Sequence, residues 1–150
     1  MSSTDIMDAN RVILTHFDSY SCALLFARWD ERTMLWPKAL PDSAMPIAAP
    51  DTVGAAHDGE AVRDAMIARC GLDPAEIVHA DDFQQWVQTA DGPARIHLLR
   101  FTTIDAPKAV VEAHGGAFKH MTQLRGGAMS ELIMLREVFN LVVGGSGGRA

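Results

Sequence analysis

The sequence predicts a single α/β domain, on three observations. Short apolar runs of strand length alternate with two segments of helical periodicity. Proline and glycine clusters punctuate the chain between those runs. The 150 residues, 48% hydrophobic and 21% charged, have the composition of a globular domain large enough to bury roughly 70% of the surface its unfolded form exposes. The expected organisation is a polar N-terminal tail over 1–9, one domain over 10–143 and a Gly/Ser tail over 144–150.

Arg11 to Phe17 reads as the first strand, with Val12, Ile13 and Leu14 at its centre and Asp18-Ser19-Tyr20-Ser21 as the turn that ends it. Cys22 to Trp29 follows. Its continuous apolar run, Ala23 to Ala27, is that of a strand covered on both faces. Asp30-Glu31-Arg32 forms a polar turn, and Thr33 to Trp36 reads as the returning strand. Prolines at 37, 41, 46 and 50 predict a long irregular connection, because proline fixes φ and removes a backbone donor. Long connections in compact domains are often functional.

Asp58 is placed to cap a helix opening at Gly59-Glu60. Val62, Ala65, Met66 and Cys70 recur at helical spacing, and Gly71-Leu72 has the form of a glycine C-cap with its hydrophobic contact. Ile77 to Phe83 and Trp86 to Thr89 read as one broken strand. Ala90-Asp91-Gly92-Pro93 is a turn, and Arg95 to Ile104 is a long strand with Leu99 and Phe101 on one face and Ile96 and Leu98 on the other. Phe118 to Leu124 is weakly extended. Ser130 is placed to cap a last helix reaching Val143, with Leu132, Leu135, Phe139, Val142 and Val143 on its core face.

The net charge of −6 repels phosphate backbones at long range, and the thirteen basic residues are scattered, which argues against nucleic-acid binding. No apolar run has membrane-spanning length, and the first nine residues lack a signal core. The expected location is therefore the cytoplasm, with Cys22 and Cys70 as buried reduced thiols. Six histidines show no zinc spacing, and His79-Ala80-Asp81-Asp82 reads as a solvated turn. Neither a G-x-S-x-G nor a phosphate-loop motif is present. No metal and no cofactor is expected.

Three segments resemble the Nudix superfamily: Leu35-Trp36 followed by Leu40-Pro41; Gly59-Glu60-Ala61-Val62-Arg63-Asp64-Ala65-Met66-Ile67-Ala68-Arg69-Cys70-Gly71-Leu72; and Gly116-Ala117-Phe118-Lys119-His120-Met121-Thr122-Gln123-Leu124. Together they span residues 11 to 143 as a pattern. The resemblance implies a Nudix-like α/β/α sandwich with a mixed β-sheet. With Gly71-Leu72 laid on the family's terminal Gly-Leu, Asp64 stands where the family has arginine, and Ala65, Ala68 and Arg69 stand where it has glutamates. Those glutamates supply the oxygens that hold magnesium, so the box is degenerate and ordinary diphosphate hydrolysis is not expected.

The first functional reading is a diverged, non-catalytic member that binds a nucleotide-like or phosphorylated small molecule. Its candidate ligand-binding residues are Trp36 for stacking, Glu60 and Asp64 as carboxylates one helical turn apart, and His97 and Arg100 on the long strand, with Arg100 taking the anionic group. A second reading is a diverged Nudix hydrolase of nucleoside diphosphate derivatives with relocated carboxylates, drawn from Asp51, Asp58, Asp81, Asp82 or Glu112. A third is an interaction module, with a homodimer or partner contact through the unusually apolar last helix.

Overall fold

The computed structural model describes residues 5–18, 20–124 and 128–144. It is a mixed α/β domain with three α-helices and an open, mixed sheet of seven strands. The strands are β1 (Asn10–Asp18), β2 (Ala23–Trp29), β3 (Met45–Ile47), β4 (Ile77–His79), β5 (Gln85–Thr89), β6 (Gly92–Phe101) and β7 (Gly116–His120). Their order is β3-β5-β6-β1-β2-β7, with β4 also paired to β6. The central pair, β1 and β6, is parallel, with Val12 opposite His97 and Leu14 opposite Leu99. The other pairings are antiparallel. The helices are α1 (Gly59–Cys70), α2 (Lys108–Glu112) and α3 (Met129–Phe139), the last continuing as a π-helical turn over Asn140–Gly144.

A separate hydrophobic core lies on each face of the sheet, because side chains alternate along strands buried on both sides. Ile13, Phe26, Ile96 and Leu98 pack with Met134, Leu135 and Val138 of α3 on one face. Val12, Leu14, Ala27 and Leu99 pack with Val62, Met66 and Cys70 of α1 and Val111 of α2 on the other. Helix α1 begins and ends as expected. The Asp58 carboxylate accepts from Ala61 N at 3.0 Å, Gly71 takes φ 66°, and Leu72 N donates back to Ile67 O at 3.1 Å. At φ 66° a side chain would be strained, so glycine suits that position.

Several elements depart from the sequence reading. Thr33 to Trp36 forms no strand. Thr33 bridges to Trp29 and Trp36 bridges to Val12, so the segment crosses onto β1 instead of running beside β2. The proline-rich connection contains β3, an edge strand with exposed Met45 and Ile47; an edge tolerates the missing donor of Pro46. β4 and β5 both run antiparallel along β6, with Phe83 buried in the break between them. Helix α2 has only five residues, too few to show a period.

The start of α3 also differs. Ala128 occupies the N-cap position without a side-chain bond, so Ser130 lies inside the helix. The buried face is Glu131, Met134, Leu135 and Val138, and Phe139 is partly exposed. Cys22 is exposed beside the β1–β2 turn with φ 58°, while Cys70 is buried. In the segment expected to be a polar tail, Ile6–Ala9 forms a 3-10 turn that buries Met7. The Gly/Ser tail beyond 144 and residues 1–4 lie outside the described residues. Among the described residues, no helix is long and apolar enough to cross a membrane.

Candidate functional site

The five residues singled out from the sequence do not converge on one site. His97 faces the α1 side of the sheet with Leu99 and Phe101, whereas Arg100 alternates to the α3 side with Ile96 and Leu98. Trp36 packs into the α1-side core. Its ring lies 4.8 Å from that of Trp29 and edge-on to His114 at 6.4 Å. Val12 stands between Trp36 and His97, bridged to the first and in register with the second.

Glu60 and Asp64 are exposed on α1 and flank Arg63, at 4.0 Å and 3.5 Å from its Nη1. The same guanidinium donates to the carbonyls of Ile77 and Pro74, at 3.0 Å and 2.6 Å from Nη2. The two carboxylates thus balance an arginine that ties α1 to β4. As exposed pairs they contribute little stability.

His97 belongs to a hydrogen-bonded chain that sequence spacing does not disclose. Its fully buried imidazole sits between Asn10 and His79, with Nε2 2.7 Å from Asn10 Oδ1 and Nδ1 2.9 Å from His79 Nε2. His79 Nδ1 lies 2.7 Å from Asp81 Oδ1. The side chain of His79 has no exposed surface, and that of Asp81 is 87% exposed. The segment expected to be a solvated turn therefore turns one ring inward, because His79 pairs with Leu99 on the core face of β6.

The proton positions follow from the network. Asn10 Nδ2 donates to the carbonyls of Ile6 and Ala56, at 2.7 Å and 2.8 Å, which leaves Oδ1 as an acceptor. His97 Nε2 must then donate, and a neutral His97 accepts at Nδ1 from His79 Nε2. At its other end the chain reaches the surface through the 2.7 Å contact of His79 Nδ1 with Asp81 Oδ1. His97 itself stays neutral. Burial first, then the charges of Arg95, His79 and His57, lower its pKa from 6.5 to about 2. The chain ends on backbone carbonyls, so it pins the N-terminal 3-10 turn and the approach to α1 onto the sheet.

Arg100 has a different setting. It is partly buried and forms no ion pair among the described residues. It lines a cavity of about 450 Å³ with Phe17, Tyr20, Val78, Thr102, Thr103 and Ile104, and is the only charged residue described there. Tyr20 is 90% exposed and Ile104 77%, so a flat aromatic and an apolar surface stand open beside the guanidinium.

A magnesium ion of the kind the Nudix resemblance implies finds no ligands at the place that resemblance would put it. Ala65 and Ala68 offer no side-chain oxygen, and the Arg69 guanidinium is taken up in a short ion pair with Asp5. Of the carboxylates considered as relocated ligands, two have other partners. Asp58 is engaged as a helix cap and Asp81 with His79. Among the described residues, no group of three or more His, Cys, Asp or Glu side chains is placed to hold a metal ion.

No protein-family profile matches the chain, and no curated protein matches it.

Proposed function

We propose that this protein is a diverged Nudix-like domain that binds a nucleotide-like or phosphorylated small molecule without ordinary magnesium-dependent hydrolysis. The observation that carries the reading is Arg100, a guanidinium with no ion-pair partner among the described residues, lining a cavity of about 450 Å³ as its only described charge. Its planar fork suits phosphate. Tyr20 offers a face for a base, and Ile104 and Val78 offer apolar contact. The element order supports the Nudix-like α/β/α sandwich: a strand pair, the proline-rich connection, a helix closed by Gly71-Leu72, further strands, and a last helix on the opposite face. The alanines at 65 and 68 and the engaged Arg69 support the loss of metal-dependent hydrolysis. Against the hydrolase alternative, no group of three or more His, Cys, Asp or Glu side chains among the described residues is placed to hold a metal ion.

The test is thermal unfolding with and without ADP, GDP, UDP and their sugar derivatives. A ligand present at 100 times its Kd stabilises the native state by about 2.7 kcal/mol. At least one member of the panel should raise the midpoint, and Arg100→Ala should remove that rise. If the panel raises no midpoint, or the rise survives Arg100→Ala, the reading is wrong.

A second reading rests on α3. Met129 is 71% exposed and Ile133 57%, one turn apart on the same helix. These side chains suit a homodimer or partner contact. Sedimentation equilibrium over a wide concentration range tests it, and a monomer throughout refutes the homodimer.

A further inference from the structure

We propose a second ligand site at the end of the sheet where β1 begins, built to hold an amphipathic monocarboxylate on Arg11. It is separate from the Arg100 cavity and does not depend on that reading. Arg11 is only 5% exposed. Its Nη1 donates to the carbonyls of Met7 and Asn10, at 3.2 Å and 3.0 Å. Nε is buried without a partner, and neither Nε nor Nη2 makes a hydrogen bond among the described residues. Asp8 is near enough to act on the guanidinium electrostatically, yet Arg11 forms no ion pair among the described residues. A buried charge with an open fork is costly until an anion meets it.

That fork borders a cavity of about 630 Å³ between the start of β1, the β5–β6 turn and the start of the proline-rich connection. Its charged lining is Arg11 and Lys38 against Asp8 and Asp91. Asp8 and Asp91 oppose a phosphate dianion or a diphosphate, while the partly unbonded fork of the buried Arg11 selects a single carboxylate. Ala39 and Pro41 also line an adjoining cavity of about 360 Å³, whose apolar walls are Leu40, Ala44, Pro46, Val87, Ile133 and Met134. Both volumes are of the size that small-molecule sites use. A ligand lying across Ala39 and Pro41 would place its carboxylate on Arg11 and Lys38 and its hydrocarbon part under the connection, against α3.

The test is a titration of the 15N-labelled full chain with octanoate, with octanol and inorganic phosphate as controls, followed through the amides of Ala39, Leu40, Thr89 and Gly92. Octanoate should shift these amides saturably, and the two controls should bind far more weakly. Arg11→Met should weaken octanoate binding by about tenfold or more, as expected for a lost hydrogen bond to a charged group. Lys38→Glu, at an exposed position, should weaken it as well and keeps the test decisive if Arg11→Met does not fold. Arg100→Ala should leave octanoate binding unchanged. The proposal is overturned if octanoate gives no saturable shift, if octanol or phosphate binds equally well, or if Lys38→Glu and any folded Arg11 variant leave the affinity unaltered.

Discussion

Replacing His97 with glutamine should flatten the acid limb of the stability curve. His97 is fully buried, and its pKa falls from 6.5 in the ordinary imidazole to about 2 in the fold, through burial first and then through Arg95, His79 and His57. A histidine depressed in this way favours the folded state above pH 6.5, and that contribution is lost as the pH falls from 6.5 toward 2. At pH 4.5 the unfolded chain binds a proton that the folded chain refuses. The difference is two pH units at about 1.36 kcal/mol each, or about 2.7 kcal/mol. This figure needs only a folded pKa below about 4, well short of the full shift. The assay is urea unfolding of wild type and His97→Gln at pH 7.5 and pH 4.5. The wild type should lose about 2.7 kcal/mol more than the variant over that interval, because carboxylates and other histidines titrate in both. Equal losses would mean that His97 accepts a proton in the fold, and the hydrogen-bond directions assigned from Asn10 outward would be wrong.

Three further substitutions or reagents test the packing. A methyl added at Gly59 would lie 2.5 Å from His79 Cε1 and 2.7 Å from Nε2, and that ring is held at both nitrogens. Gly59→Ala should therefore destabilise by about 1–3 kcal/mol despite the better helix propensity of alanine; an unchanged urea midpoint would show that the ring can swing away. Glu131→Ala removes the acceptor of Met34 N, at 3.0 Å, and of the Thr33 hydroxyl, and should lower stability by about 1–3 kcal/mol, measured by thermal unfolding and refuted by a neutral result. Burial, only partly opposed by Arg69, pushes the Cys70 thiol up to about 11, whereas Cys22 is exposed. A thiol-reactive disulfide reagent at pH 8 should modify Cys22 quickly and Cys70 only on unfolding, and fast double labelling of the folded chain would contradict this.

The regular elements were legible where one physical rule dominated. The apolar runs marked β1, β2 and β6 as strands, and Asp58 and Gly71 marked the ends of α1 through caps that depend only on local residues. The elements that escaped depend on distant partners. Trp36 bonds to Val12 across the chain, and Glu131 is buried because Thr33 and Met34, almost a hundred residues earlier, need its oxygens. The candidate residues fared similarly. Period two along β6 already separates His97 from Arg100, so their placement on opposite faces could have been read from the strand alone. The chain of Asn10, His79, His97 and Asp81 could not, since its members come together only when β1, β4 and β6 pair. Arg11 carried no signal either, because a strand apolar on both sides gives no alternation from which to tell an inward arginine from an outward one.

The most direct test of the functional account is calorimetric titration of wild type and Arg100→Ala with the nucleoside diphosphate that best raises the unfolding midpoint, with magnesium present and nucleotide release followed in the same samples. The account predicts saturable binding to the wild type without turnover, and a loss of about tenfold or more in affinity when Arg100 is removed. Metal-dependent turnover, or binding that ignores the loss of Arg100, would contradict it.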